Sequence, residues 1–250
     1  MIRKDIYDIV THISKTRRLI PWLISNFSTM TKNKIDRLSD AGLFFLTASL
    51  DSLSDIGVKS DGSILDLLEY AKSKNIICST ITVIHRDNIH EIPDIMHKVT
   101  ERGIVFDIGF FQHVGGLFST PDSDLKVKDF SLLEDFRKQM RKHKLETGLI
   151  APSWGYLNSD LKMYQEMSWK CPSAKDAFLV INNDGRLMPC QEYISNINVL
   201  AIENLNDPIW RREKAEIVNR CAGCYYGCYY QKVTVRPLDV LLDLYTMVKL

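Results

Sequence analysis

Apolar positions over the first 111 residues fall into two alternating kinds of segment, helical stripes and short near-continuous runs. Ile6, Ile9, Val10 and Ile13 keep the i, i+3, i+4, i+7 spacing of one buried helical face. The run Ile20 to Asn26 reads as a short strand. Ser28 or Thr29 can cap a second helix that buries Ile35, Leu38 and Ala41 and stops at Gly42. Leu43 to Leu50 predicts a second strand, and Asp61-Gly-Ser caps a third helix with Leu67, Leu68 and Ala71 inward. Ile76 to Val83 is a third strand. His90 to Arg102, with Pro93 in its first turn and Gly103 closing it, is a fourth helix before the strand Ile104 to Phe111.

One helix separates each strand from the next. Such alternation, with strands apolar on both faces, specifies an α/β fold with a parallel sheet. An open sheet and a partial barrel fit the period equally well. Beyond Gly115-Gly116 the pattern changes to a loop through Ser119 and an amphipathic helix over Phe130 to Lys144, with Leu132, Phe136 and Met140 on one side. A further helix is expected over Leu157 to Met167, and a Leu-rich one over Pro237 to Val248. Between them, Ala177 to Ile181, Asn182-Asn-Asp-Gly185 and Arg186 to Pro189 read as strand, turn and return strand, because Asp-Gly between apolar runs favours a hairpin.

Charge narrows the function. Lys and Arg number 32 against 31 Asp and Glu, so no global field draws the chain to nucleic acid or to an anionic membrane. No apolar run approaches the ~20 residues of a membrane span, and no apolar segment follows Met1-Ile-Arg-Lys-Asp to make a signal peptide. Five of the six cysteines cluster as Cys171, Cys190, Cys221, Cys224 and Cys228. In a chain without an export signal this spacing points to a reducing cytoplasm and a metal site. The hairpin brings Cys171 and Cys190 together across 18 residues, and the Gly- and Tyr-rich segment from Cys221 can wrap the same metal. Five thiols exceed the four needed by one [4Fe–4S] cluster and fall short of the eight needed by two. A zinc site, within a non-catalytic structural or partner-docking module, fits C-x2-C as well. Cys78, in mid-strand, reads as core.

The pattern C-x13-G-x4-C followed by C-x2-C-x3-C resembles the SPASM/twitch extension of radical S-adenosylmethionine (radical SAM) enzymes. Upstream, Ala48-Ser-Leu-Asp-Ser52 resembles the family's fourth-strand S-L-D motif, and Ser25-Asn26 stands where its third strand carries T-N-G, with Phe27 in place of the glycine. Ile81-Thr-Val83, Asn88 and Glu91-Ile92 resemble the fifth strand and its helix, and Arg3-Lys-Asp-Ile6 the residues after G-G-E-P-L.

The resemblance implies a partial (β/α) barrel of about four parallel strands over residues 1–118 and a helical connector over 119–167. It further implies a cysteine-rich hairpin and helix domain over 168–235 and a terminal helix over 236–250. One auxiliary [4Fe–4S] cluster is implied on the five cysteines. S-adenosylmethionine would be contacted by Asn26, Ser49 and Asp51 at the carboxyl ends of strands, with Lys59 as a carboxylate partner; Ser49 and Asp51 read without the family are the start of a turn. Gln112 and His113, after the fourth strand, could face substrate. The family's C-x3-C-x2-C and G-G-E-P are not among these 250 residues, which leads us to expect them upstream of Met1 and this chain alone to be inactive in radical chemistry. An oxygen-sensitive enzyme is implied, acting on a peptide or small molecule with ferredoxin or flavodoxin as electron donor. The loss of the first strands would leave Ile20 to Asn26 an exposed apolar edge.

Overall fold

The computed structural model describes residues 3–53, 62–112, 125–166, 169, 171, 178–234 and 236–247. It divides into two compact units, residues 1–109 with 135–151 and 244–250, and residues 110–134 with 152–243.

The first unit carries the expected α/β sheet. Helix α1 (Ile6–Thr11) runs into a single π-turn (His12–Thr16), then β1 (Trp22–Ser25), α2 (Lys32–Ala41), β2 (Phe45–Ser49), α3 (Gly62–Lys72), β3 (Ile77–Ile84), α4 (Ile92–Glu101) and β4 (Val105–Phe110). Strand order follows chain order, and β1–β2 and β2–β3 pair in parallel, with Ser25 opposite Ala48 and Ser49 opposite Ile81. Alternation divides the sheet faces. Leu46, Ala48, Cys78, Thr80, Thr82, Ile84, Phe106 and Ile108 are buried, where each large aliphatic contributes about 1.5–3 kcal/mol. Burial pushes the Cys78 thiol up to about 12, as suits a core residue. On the opposite face Trp22 Nε1 donates to Thr47 Oγ1 at 2.7 Å, and the Thr47 and Ser79 hydroxyls lie 2.6 Å apart. β1 is the outer strand, with Trp22 58 % and Ile24 57 % exposed.

Details depart from the sequence reading. The α2 cap is Thr31, not Ser28 or Thr29: only Thr31, in extended backbone, has its hydroxyl within reach of Lys34 N–H (3.3 Å). Gly42 ends α2 as expected, in the left-handed conformation at φ 94°. In α3 the buried stripe is Ile64, Leu65, Leu68 and Ala71, and Leu67 is half-buried. In α5 (Phe130–Thr147) it is Leu133, Phe136 and Met140, with Leu132 half-buried. Asp61, Lys59, His113, the loop through Gly115 and Ser119, Met167 and Ala177 lie outside the described residues.

In the second unit the expected helix over Leu157 to Met167 is two short ones, α6 (Trp154–Leu157) and α7 (Lys162–Glu166). The Ser159 hydroxyl turns back to Tyr156 O at 2.7 Å, and Asp160 Oδ1 accepts from Lys162 N–H at 2.9 Å, ending one helix and starting the next. The hairpin forms from β5 (Val180–Ile181) and β6 (Leu187–Met188), antiparallel, with Gly185 at φ 83° in its turn. Two helices follow that the sequence reading did not place, α8 (Pro208–Arg220) and α9 (Gly227–Thr234), before α10 (Pro237–Met247). Asp207 caps α8 by accepting from Ile209 and Trp210 N–H, and Pro208 sits in its first turn.

Candidate metal centre

The five clustered cysteines arrive from five places in the second unit. Cys190 follows β6, where the hairpin has brought the chain back. Cys221 is the residue that ends α8, in extended backbone. Cys224 is buried in the loop after it, Cys171 is buried upstream of the hairpin, and Cys228 is the exposed second residue of α9.

Four of them meet. Cys171, Cys190, Cys221 and Cys224 line one cavity. The remaining wall is aliphatic and phenolic, with Ile217 and Val218 from α8 and Tyr193, Tyr226 and Tyr229 around them, and one carboxylate, Glu192. Cys228 is not part of that lining, although burial pushes its thiol up to about 11 and the charges of Cys190 and Cys171 raise it too. Burial raises the Cys190 thiol pKa, and the neighbouring charges of Cys221 and Glu192 raise it further. Cys224 is raised by burial and then by the charges of Cys171, Cys221 and Cys228. These thiols therefore sit within electrostatic reach of one another, and a bound cation would reverse the sign of that effect. Among the described residues no three His, Cys, Asp or Glu side chains converge tightly enough for a single metal ion. Four thiols spread around an apolar cavity are a donor set that fits a polynuclear iron–sulfur cluster.

The loop is held by backbone bonds around Cys224. Trp169 Nε1 donates to Cys224 O at 2.7 Å, Gln112 Oε1 accepts from Tyr225 N–H at 2.5 Å, and Gly223 N–H donates to Cys221 Sγ at 3.3 Å. Gln112 is thus buried and tied to this loop, while its Nε2 finds no partner among the described residues. Gly223 sits at φ 109°, and a Cβ there would lie 2.6 Å from Trp169 O. Gly223→Ala is expected to destabilise the second unit by about 2 kcal/mol, from the left-handed backbone and the displaced Trp169. Urea unfolding checks this; an unchanged midpoint would contradict it.

The sequence-assigned cofactor residues lie in the first unit. Asn26 and Ser49 stand at neighbouring carboxyl ends, since Ser25 pairs with Ala48. Asn26 Oδ1 accepts from Ser28 N–H and Oγ at 3.2 and 2.9 Å. Phe27, in the glycine position of T-N-G, adopts φ 60°, a conformation glycine enters without strain. Asp51 Oδ1 accepts from Val83 N–H at 2.9 Å, and Asn88 Nδ2 donates to Asp51 O and Val83 O at 3.1 and 2.9 Å. One oxygen of Asp51 thereby tethers the end of β2 to β3. In β4, desolvation pushes the Asp107 carboxyl up to about 6. The sequence reading passed over it, although an acid in a buried strand was the signal. Glu192 was also missed, and no local pattern marks it.

No protein-family model matches the chain. It is similar to the PqqA peptide cyclase of Bradyrhizobium diazoefficiens, 21% identical in an alignment of 237 residues that covers 88% of this chain and 60% of the relative. Among solved structures it resembles SuiB of Streptococcus suis bound to S-adenosylmethionine, with a TM-score of 0.61 and 14% identity over 85% of this chain and 54% of SuiB. It also resembles anSMEcpe with bound AdoMet and the Kp18Cys peptide, with a TM-score of 0.59 and 12% identity over 86% of this chain and 66% of the other. The chain therefore spans only about half to two thirds of the length of these relatives. Its parallel sheet with flanking helices is the fold they share, and that likeness in sequence and fold supports the resemblance to the radical SAM superfamily.

Proposed function

We propose that the second unit is a SPASM/twitch-type auxiliary centre holding one [4Fe–4S] cluster on Cys171, Cys190, Cys221 and Cys224, in a protein that modifies a peptide by radical SAM chemistry. The observation that carries this is the set of four thiols around one apolar cavity, with the fifth, Cys228, outside it. When bound, such a cluster supplies one-electron transfer or an open iron for substrate. The chain's own residues do the rest. The hairpin with its glycine turn sets the spacing of Cys171 and Cys190, and Gly223 lets Trp169 close over the Cys224 carbonyl. Tyr226 and Tyr229 wall the cavity against water.

In the first unit, Asn26, Ser49 and Asp51 at the carboxyl ends of β1 and β2 are the proposed contacts for S-adenosylmethionine, the place where α/β sheets bind ligands. A peptide substrate is supported by the names of the relatives, a PqqA peptide cyclase and SuiB bound to the precursor peptide SuiA. Generating the radical requires a C-x3-C-x2-C cluster, which these 250 residues do not contain. A reducing cytoplasm and a low-potential donor such as ferredoxin or flavodoxin fit the same reading.

Anaerobic reconstitution with iron and sulfide tests it. The expected product is brown, with about four irons per chain, and binds S-adenosylmethionine in calorimetric titration. Colourless protein with a single zinc would overturn the cluster, and wild type that gives no binding heat, or Asp51→Asn that binds as tightly as wild type, would overturn the cofactor assignment.

A further inference from the structure

Resting on the cluster reading above, we infer that Glu192, held by Tyr226, is the residue that sets the reduction potential of the centre. Glu192 is buried, with 4 % of its surface exposed, and it faces the cavity lined by the four thiols. Tyr226 donates its hydroxyl to Glu192 Oε1 at 2.5 Å, and both side chains line that cavity. A carboxylate is costly to bury in a wall otherwise made of thiols, aliphatics and phenols, and the Tyr226 hydroxyl offsets part of that cost.

The placement of Glu192 follows from local backbone. Cys190 and Tyr193 bridge in antiparallel fashion, so the chain turns tightly between them and carries Glu192 to the cavity beside Cys190. Gln191 N–H donates to the Tyr229 hydroxyl at 3.2 Å, fixing this turn to α9, on which Tyr229 sits two residues after Gly227. Tyr226 enters from the residue before α9. The carboxylate is thus pinned between the hairpin exit and the helix, and it approaches the ligand thiols without being one of the four.

A unit negative charge within ~10 Å, at an effective dielectric near ~20, biases a one-electron couple by about tenfold or more. The sign is fixed. Reduction adds an electron, and with it negative charge, to the cluster, so Glu192 disfavours the reduced state and lowers the potential. The Tyr226 hydroxyl spreads part of the carboxylate charge and moderates that effect. Glu192 is therefore a positioning residue for charge, acting through the cluster, and Tyr226 holds it.

The experiment is a redox titration of the reconstituted wild type, Glu192→Gln and Tyr226→Phe, with dithionite as the one-electron reductant and electron paramagnetic resonance of the reduced cluster as the readout. Iron and sulfide are counted on the same samples. Glu192→Gln keeps an oxygen to accept from Tyr226, so it is expected to hold wild-type iron and to raise the ratio of reduced to oxidised cluster at a fixed potential about tenfold, ~59 mV for one electron. Tyr226→Phe is expected to lower that ratio. Opposite signs from the two ends of one hydrogen bond are what a merely structural pair would not give. Loaded wild type with an unmoved Glu192→Gln overturns the inference and leaves the cluster standing. Loss of iron from Glu192→Gln also overturns it, because the residue would then be holding metal. Wild type that takes up no iron and sulfide overturns the cluster and this inference together.

Discussion

Cys224→Ser, reconstituted anaerobically, loses its colour and most of its iron, whereas Cys228→Ser retains about four irons per chain. The two cysteines are separated by three residues, Tyr225, Tyr226 and Gly227, and differ in nothing local that marks a ligand. Cys224 is buried and on the cavity wall with Cys171, Cys190 and Cys221, and its carbonyl is clamped by Trp169. Cys228 is exposed at the start of α9. Serine at position 224 replaces a thiolate that iron prefers with a hydroxyl that stays protonated, so the expected loss is of the cluster rather than a fraction of it. Iron and sulfide content and the visible spectrum of the two variants, prepared side by side, check this. Equal loss from both would mean that the cluster is not seated in this cavity.

Tyr225→Ala is expected to cost about 4 kcal/mol of the second unit's stability. Tyr225 has no exposed surface. Its ring lies 4.8 Å from Tyr230, 4.9 Å from Tyr156, 5.6 Å from Phe110 and 5.7 Å from Tyr164, centroid to centroid. Removing it opens a cavity among four aromatic rings, each pair of which contributes about 0.5–1.5 kcal/mol beyond area. The polar half is smaller. Tyr225 OH and Ser159 Oγ lie 2.7 Å apart, and Ser159 keeps its bond to Tyr156 O when the phenol hydroxyl is removed. Tyr225→Phe is accordingly expected to cost about 1 kcal/mol. Urea unfolding followed by tryptophan fluorescence measures both; a Tyr225→Ala loss below about 1 kcal/mol would contradict the packing account.

The sheet was legible from the chain because doubly buried strands and single-faced helices have different periods, and both were written plainly between Ile6 and Phe111. Its errors were of phase. Leu67 and Leu132 yielded to Ile64, Leu65 and Leu133, since a one-residue rotation of a helix changes which neighbour is inside while the spacing stays acceptable. The Thr31 cap was missed for a similar reason, three polar candidates standing within four residues. Helix α8 escaped because only Trp210 and Ile217 are buried along it, seven residues apart with charges between, too sparse a stripe to count. Asp207-Pro208 was its one clear signal.

The sequence by itself determined the α/β sheet, the Asp-Gly hairpin and the thiol content of the candidate site, because period, turn chemistry and composition are local properties. Gly185 at φ 83° and Gly42 at φ 94° occupy the conformations their residue type anticipates. Which cysteines face one another, and what stands beside them, were decided only in three dimensions. Spacing allowed any four of five thiols; the chain's path through the end of α8 and into α9 turned Cys224 inward and left Cys228 outside. Glu192 reached the same cavity by a turn between Cys190 and Tyr193, and its partner Tyr226 arrived from a segment 34 positions away. A contact at that separation depends on the packing of both segments, and neither segment's own residues specify it.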